Sequence, residues 1–329
     1  MQEFNIYIKL TNGCNLRCKH CFNEIMMNHN SMSDETLNKV INWLKEFRNI
    51  NPESIINMSL HGGEPMLYNL DKILHLIKST EDLDLKWCIT TNLIYEITDK
   101  HLQIFKKMVP YKEPLVMTSY DFGDLRFTGN QENLWKSNVK LLQDNDIKVQ
   151  PIICVTKYVV DNISVSDFFD FLDTNNIKQF NLERITETGR AVQNKVKPTN
   201  EEQNRWLLSI FKEYERRGNL MCPLFHGVIE SLKGTYLGCR ARKCMNTVIT
   251  INPDGSLAGC PNTADNTYGD LTSVNDCRKC QLIEQEQKKS LECLICPYYK
   301  YCNGDCFQLK FDSTGCSGMK PIYKYLTSK

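Results

Sequence analysis

From Phe4 to about residue 184 the chain repeats one arrangement: a short apolar segment, a polar or glycine-rich loop, and a stretch with helical spacing. Residues 4–10 alternate apolar and polar side chains and run into the loop Cys14-Asn15-Leu16-Arg17-Cys18-Lys19-His20-Cys21. Ser31 and Ser33 precede Asp34 and Glu35, and Leu37, Val40, Ile41, Leu44 and Phe47 then line one helix face. Residues 55–60 predict a buried strand ending in His61-Gly62-Gly63-Glu64-Pro65, followed by a helix carrying Leu70, Ile73, Leu74 and Ile77. Strands at 85–90 and 115–119 lead into Thr91-Asn92 and Tyr120-Asp121, with helices at about 98–108 and 132–143. A strand at 147–155, a helix near 165–174 and a strand at 179–182 running into Glu183-Arg184 complete six units. Parallel neighbours require crossovers, so this pattern predicts an α/β fold, a partial (β/α)6 TIM-like barrel.

The chemistry-bearing residues follow the strands. In parallel barrels the loops at the C-terminal strand ends build the active site. The cysteine loop, Gly62-Gly63-Glu64-Pro65, Thr91-Asn92, Ser119-Tyr120-Asp121 and Glu183-Arg184 all occupy that position. Three cysteines at spacings x3 and x2 suit a soft metal, and they leave a four-iron cluster one ligand short. By themselves they also suit a zinc-type site or three unrelated buried thiols. Two glycines let a chain pass close to a ligand or another backbone, and a carboxylate suits an ammonium group. Asn92 and Ser119 read equally well as ordinary turn caps.

Sixteen cysteines set the chemistry apart. The N-terminus lacks a signal-peptide layout and no apolar run is long enough to span a bilayer, which predicts a cytoplasmic protein without a membrane role. In a reducing compartment such cysteines favour metal binding over disulfides. A net charge of +1 gives no reason to expect nucleic acid as a partner. The expected organisation is a barrel over 1–218, a connection over 219–238, and a small cysteine-rich domain over 239–329. The capping box Thr199-Asn200-Glu201-Glu202 opens the helix that closes the first part. No element is legible in the connection. Residues 248–252 and 256–260, around Pro253-Asp254-Gly255, predict a β-hairpin. The run Arg240-Ala241-Arg242-Lys243 reads as a solvated basic turn sooner than as an attractor for an acidic substrate, and Cys88, Cys154 and Cys222 read as buried small hydrophobes.

The CxxxCxxC loop together with Gly62-Gly63-Glu64-Pro65 resembles the radical S-adenosylmethionine (SAM) superfamily. The resemblance implies that Cys14, Cys18 and Cys21 hold a [4Fe–4S] cluster whose open iron binds SAM. It places His20 near adenine, Gly62, Gly63, Glu64 and Pro65 at the SAM amino group, and Asn92, Ser119 and Asp121 at the ribose. Arg190 would pair with the SAM carboxylate. The C-terminal order, with Cys239 and Cys244 before Gly255-x4-Cys260 and then Cys293-x2-Cys296-x5-Cys302-x3-Cys306 and Cys316, resembles the SPASM extension of that family. It implies two auxiliary [4Fe–4S] clusters, one on Cys239, Cys244, Cys260 and Cys306, the other on Cys293, Cys296, Cys302 and Cys316. Cys277 and Cys280 read as spare thiols near the clusters or, as a CxxC pair, as a redox or alternative ligand pair.

The family resemblance further implies reductive SAM cleavage, hydrogen abstraction and a net oxidation, most often of a peptide or protein side chain. The electrons would come from a reducing partner such as flavodoxin or ferredoxin. Asp121 and Glu183 are the acid–base candidates, with Glu187 and Tyr120 behind them. The first strand begins at about Phe4, so a leader-recognition domain of the usual N-terminal kind is not expected. Cys260 is followed by Pro261-Asn262, with Asp265 the next acid, which disfavours sulfatase maturation. Two other readings remain open: a radical SAM enzyme acting on a small molecule, and a non-catalytic iron–sulfur or zinc protein.

Overall fold

The structure, a computed structural model, describes residues 2–23, 30–241, 244–272 and 290–329, with the backbone alone for Cys239 and Met245. Six strands, β1 (Glu3–Thr11), β2 (Ile55–Gly62), β3 (Leu85–Thr91), β4 (Leu115–Tyr120), β5 (Lys148–Val155) and β6 (Asn181–Arg184), pair in parallel in chain order. The helices between them are α1 (Asp34–Ile50), α2 (Leu70–Lys78), α3 (Asp99–Lys106), α4 (Gln131–Gln143), α5 (Lys157–Asn162) and α6 (Val165–Thr174). Each of the six predicted units is present. Helix α5 is an addition that the sequence pattern did not disclose. Its signal is one turn long, and Thr156 caps it by accepting from the Val159 N–H at 3.3 Å.

The helices form where an apolar stripe meets a cap. Ser33 caps α1 by accepting from the Thr36 N–H at 3.0 Å, and Leu37, Val40, Ile41, Trp43, Leu44 and Phe47 are buried on its inner face. Trp43 stacks on Phe47 at 4.8 Å, and Phe4 of β1 meets Phe47 edge-on at 4.9 Å. A short helix α7 (Arg190–Asn194) follows β6, and α8 (Asn200–Arg217) opens with the expected capping box.

The sheet does not end at β1. The predicted hairpin is formed by β7 (Val248–Ile251) and β8 (Ser256–Ala258), and β7 pairs in parallel with β1 from Asn5↔Val248 to Ile8↔Ile251. A ninth strand, β9 (Thr267–Asp270), follows, giving the order β6-β5-β4-β3-β2-β1-β7-β8-β9. The hairpin therefore covers the free edge of β1, which would otherwise present unpaired backbone groups. The connection that showed no element contains α9 (Pro223–Leu232), started by a proline whose fixed φ suits the first helical position.

The C-terminal segment packs back on the barrel. Asn200 donates to the carbonyls of Lys310 and Gly315 at 3.0 and 2.8 Å, and Asn204 to that of Cys316 at 2.9 Å. Both sheet and hydrogen bonds thus run across the position where the cysteine-rich part was expected to separate. Among the described residues no helix is long and apolar enough to cross a membrane.

Candidate active site

The loop of Cys14, Cys18 and Cys21 is clamped by three other loops through its backbone. Gly63 donates its N–H to the Thr11 carbonyl at 2.8 Å, and Glu64 donates to that of Gly13 at 2.9 Å. Arg190 donates to the Cys21 carbonyl at 3.0 Å and Lys19 to that of Leu125 at 2.8 Å. The glycines serve this contact: a Cβ on Gly63 would lie 2.1 Å from the Gly13 carbonyl oxygen, and one on Gly189 2.3 Å from that of Cys21.

All three cysteines line a cavity of about 650 Å³, together with Gly62, Gly63, Glu64, His20, Asn92 and Ser119. Burial pushes the Cys18 thiol up to about 12 and the Cys14 thiol upward, and the three sulfurs repel one another as anions. Three thiolates gathered on one loop would repel one another, so a thiolate set here calls for a cation to neutralise it. Three thiols on one clamped loop fit a [4Fe–4S] cluster with one open iron.

Glu64 lines the cavity, but both carboxylate oxygens are engaged by protein. Oε1 accepts from the Met66 N–H at 3.0 Å and the Thr91 hydroxyl at 2.7 Å, and Oε2 from the Asn92 N–H at 2.6 Å. Burial raises its carboxyl to about 7 in spite of these donors. Asn92 in turn donates to Asn15 Oδ1 at 2.8 Å and approaches Cys14 Sγ at 3.8 Å. Pro65 starts the short 3₁₀ turn that Glu64 caps. The Gly-Gly-Glu-Pro segment, expected at the SAM amino group, is thus also the strut between the second and third loops and the cysteines.

Asp121 and Arg190 are not among the residues lining this cavity. The Asp121 side chain is fully buried, and its Oδ2 accepts from Arg126 Nε at 2.5 Å. Arg126 Nη2 also lies 3.2 Å from His20 Nε2. Burial pushes the His20 imidazole down, Asp121 pulls it up and Arg126 pushes it down again. Arg126 lines the cavity and escaped the sequence analysis. Its one signal was that a buried Asp121 would need a counter-ion. Ligand atoms of His20, Asp121 and Cys154 lie within 4.8 Å of one another, but the guanidinium already supplies the positive charge a metal would bring.

Glu183 faces the cavity. It is solvent-exposed there, and its Oε1 accepts from Asn181 Nδ2 at 2.8 Å. The other two acid–base candidates sit elsewhere. The Tyr120 hydroxyl donates to Glu132 at 2.9 Å and its ring stacks on Phe171 at 4.3 Å, while Glu187 pairs near the surface with Lys197 at 3.4 Å. Cys222 is buried as expected, whereas Cys88 and Cys154 face the cavity because their strands point them into the lumen.

A second residue without sequence warning is Lys9, almost wholly buried, which donates to Asn23 Oδ1 at 2.6 Å. Desolvation lowers its ammonium to about 8, against the pull of Asp265, Cys21 and Cys260. Burial, and next the Lys9 charge, lower the cavity-facing His61 from 6.5 to about 3. Folded protein keeps His61 neutral while the unfolded chain protonates below pH 6.5, so its stabilising contribution is lost as pH falls from there toward 3. His61→Gln should flatten the acid limb of stability in urea titrations at stepped pH; an unchanged slope below pH 6.5 would refute this.

Cys244, Cys260 and Cys306 line the same cavity as the first cysteine loop. Burial pushes Cys260 up to about 12, with Cys306 and Cys244 adding to the rise. Cys293, Cys296, Cys302 and Cys316 line a second cavity of about 640 Å³. A Cβ on Gly318 would lie 3.1 Å from Cys302 Sγ and 3.9 Å from Cys316 Sγ, so the backbone there approaches both thiols closely. Both sets offer only soft sulfur donors, which fits iron–sulfur clusters. The Cys239 side chain, Cys277 and Cys280 lie outside the described residues.

No curated protein matches the chain in sequence. Among solved structures, native anSMEcpe with bound AdoMet and Cp18Cys peptide superposes with a TM-score of 0.77 at 18% identity, covering 99% of this chain and 96% of that one. Streptococcus suis SuiB bound to precursor peptide SuiA gives 0.66 at 19% identity, covering 93% and 72%. SuiB from the same organism bound to S-adenosylmethionine gives 0.67 at 19%, covering 95% and 77%. At these identities the likeness is one of fold, a partial barrel with a parallel sheet. Residues 8–174, half of the chain, match the family described as the Radical SAM superfamily. With its three-cysteine loop at the mouth of that barrel, the chain belongs to the radical SAM superfamily.

Proposed function

We propose that this protein is a radical SAM oxidoreductase of the SPASM type that oxidatively modifies a peptide or protein side chain. The observation that carries the reading is the opening of two cysteine groups, Cys14/Cys18/Cys21 and Cys244/Cys260/Cys306, onto one cavity. Cys14, Cys18 and Cys21 would hold a [4Fe–4S] cluster, and Gly62, Gly63, Asn92 and Ser119 line the space left for SAM. Bound together, cluster and SAM supply a hydrogen-abstracting radical after one-electron reduction. The chain's own part is to orient the substrate and exclude water and stray hydrogen donors. Glu183 is an acidic side chain of the cavity placed to take a proton, since it is open to solvent there while Glu64 and Asp305 are engaged by protein donors.

Cys239, Cys244, Cys260 and Cys306 would hold one auxiliary cluster and Cys293, Cys296, Cys302 and Cys316 another, giving three [4Fe–4S] clusters and a path for the electron that an oxidation releases. The peptide assignment is supported by the peptides bound in the two fold relatives. The residues after Cys260 argue against sulfatase maturation: Pro261-Asn262 offers no acid there, and Asp265 is drawn into the electrostatics of Lys9. Electrons would arrive from a flavodoxin- or ferredoxin-like reductant.

Anaerobic reconstitution should load about twelve iron atoms per chain, and dithionite with SAM should release 5′-deoxyadenosine. Zinc uptake without SAM cleavage would overturn the enzyme reading. Presenting peptides encoded beside the chain, with mass spectrometry of the product, tests the substrate class; modification of a small molecule alone would refute it.

A further inference from the structure

Arg184, Asp305 and Arg240 form a buried charge cluster that neither the barrel chemistry nor the cysteine spacing requires. Arg184, at the end of β6, donates through both terminal nitrogens to Asp305 at 2.9 and 3.0 Å. Arg240 Nη2 lies 3.5 Å from Asp305 Oδ2. The three side chains are exposed by only 7%, 4% and 5%. Arg240, expected in a solvated basic turn, is instead inside, because Asp305 draws it in and Asn303 holds its carbonyl at 2.8 Å.

Through Asp305 the cluster touches the loop that joins a cysteine of each auxiliary group, Cys302 and Cys306. Asp305 lies in the Cys302-x3-Cys306 loop, where Asn303, Gly304 and Asp305 all have left-handed φ of 51°, 76° and 52°. Two non-glycine residues in that region store strain that the surrounding bonds must hold. Those bonds run from Asp305 N–H to the Cys302 carbonyl at 3.0 Å and from Cys306 N–H to Asp305 Oδ1 at 2.8 Å. The Cys302 sulfur feels Asp305, Arg240 and Arg184 together. Arg184 and Asp305 also line the cavity of the first cysteine loop. Arg240 keeps its Nε–H buried and without an acceptor among the described residues.

We propose that Arg184, Asp305 and Arg240 set the reduction potential of the cluster held by Cys293, Cys296, Cys302 and Cys316. The inference rests on that cysteine set holding a cluster, as argued above. Two guanidinium groups and one carboxylate leave a net positive charge beside Cys302. A cluster gains negative charge on reduction, so this charge stabilises the reduced form and raises the potential; net charge and hydrogen bonds to sulfur are established levers on it. These are positioning residues, since their effect reaches the electron through the cluster.

The test is an EPR-monitored redox titration of the full-length chain carrying Cys14→Ala, Cys18→Ala and Cys21→Ala, which leaves the auxiliary signals alone. Asp305→Asn should raise the potential and Arg240→Gln should lower it, with Arg240→Lys returning it toward the parent. Opposite signs from neighbouring substitutions are what a charge effect produces and a packing defect does not. Shifts of the same sign, or none, overturn the proposal. Loss of the cluster from both Asp305→Asn and Arg240→Lys overturns it too, by making the triad a structural tie. Failure of the parent to take up iron at the auxiliary sites would instead refute the cluster reading itself.

Discussion

Gly63→Ala is expected to strip iron from the first cysteine site and abolish SAM cleavage. The added Cβ would stand 2.1 Å from the Gly13 carbonyl oxygen, 2.5 Å from its carbon and 2.7 Å from the Asn12 carbonyl oxygen. All three are backbone atoms, so no side-chain rotation relieves the overlap. Two backbone bonds, Gly63 N–H to Thr11 and Glu64 N–H to Gly13, hold the strands in that register and must lengthen together. Overpacking of this kind costs about 1–3 kcal/mol where neighbours can yield, and here the yielding element is the loop that starts the cysteine motif. Iron analysis, 5′-deoxyadenosine release and thermal unfolding should be compared with Gly269→Ala, whose Cβ meets nothing within 4 Å. A Gly63→Ala protein with parental iron and cleavage would show that the two loops are not rigidly coupled.

The second large effect belongs to Arg126. Its Nε donates to Asp121 at 2.5 Å, with side-chain exposures of 10% and 0%. Arg126→Leu leaves the Asp121 carboxylate buried without its cation, and breaking a buried pair in this way costs roughly 3–5 kcal/mol. Adding Asp121→Asn removes the stranded charge, so the double variant should be more stable than Arg126→Leu alone. Denaturant midpoints of the two single variants and the double variant measure the coupling. Strict additivity would mean that the pair contributes nothing specific. Because Arg126 also reaches His20 and lies near Cys18, the same variant should disturb iron loading at the first site.

The strand–helix alternation was legible because its two periods differ, and because each polar loop follows an apolar strand. Placing the Gly-Gly-Glu segment beside the cysteines needed only the rule that parallel strands end on one face. Other features had no local signature. Arg126 is one basic residue in a polar loop, and only burial of Asp121 five positions earlier gives it a role. Lys9 occupies an alternating strand position that reads as solvent-facing, yet the loop carrying Asn23 folds over it. Asp121 looked like a ligand for ribose or a proton carrier, and its burial against Arg126 takes it out of the cavity lining. Arg240 looked like surface charge, and a partner 65 positions away brings it inside.

The three-cysteine loop and the C-terminal cysteine spacing are local patterns, so the sequence by itself determined the family, the class of metal chemistry and the six-unit barrel. Where the hairpin goes is a non-local matter. Any open strand edge would accept Val248–Ile251, and only the packed sheet shows that it covers β1. That choice brings Cys244, Cys260 and Cys306 to the cavity of Cys14, Cys18 and Cys21, a meeting that depends on tertiary burial of apolar strands rather than on any motif.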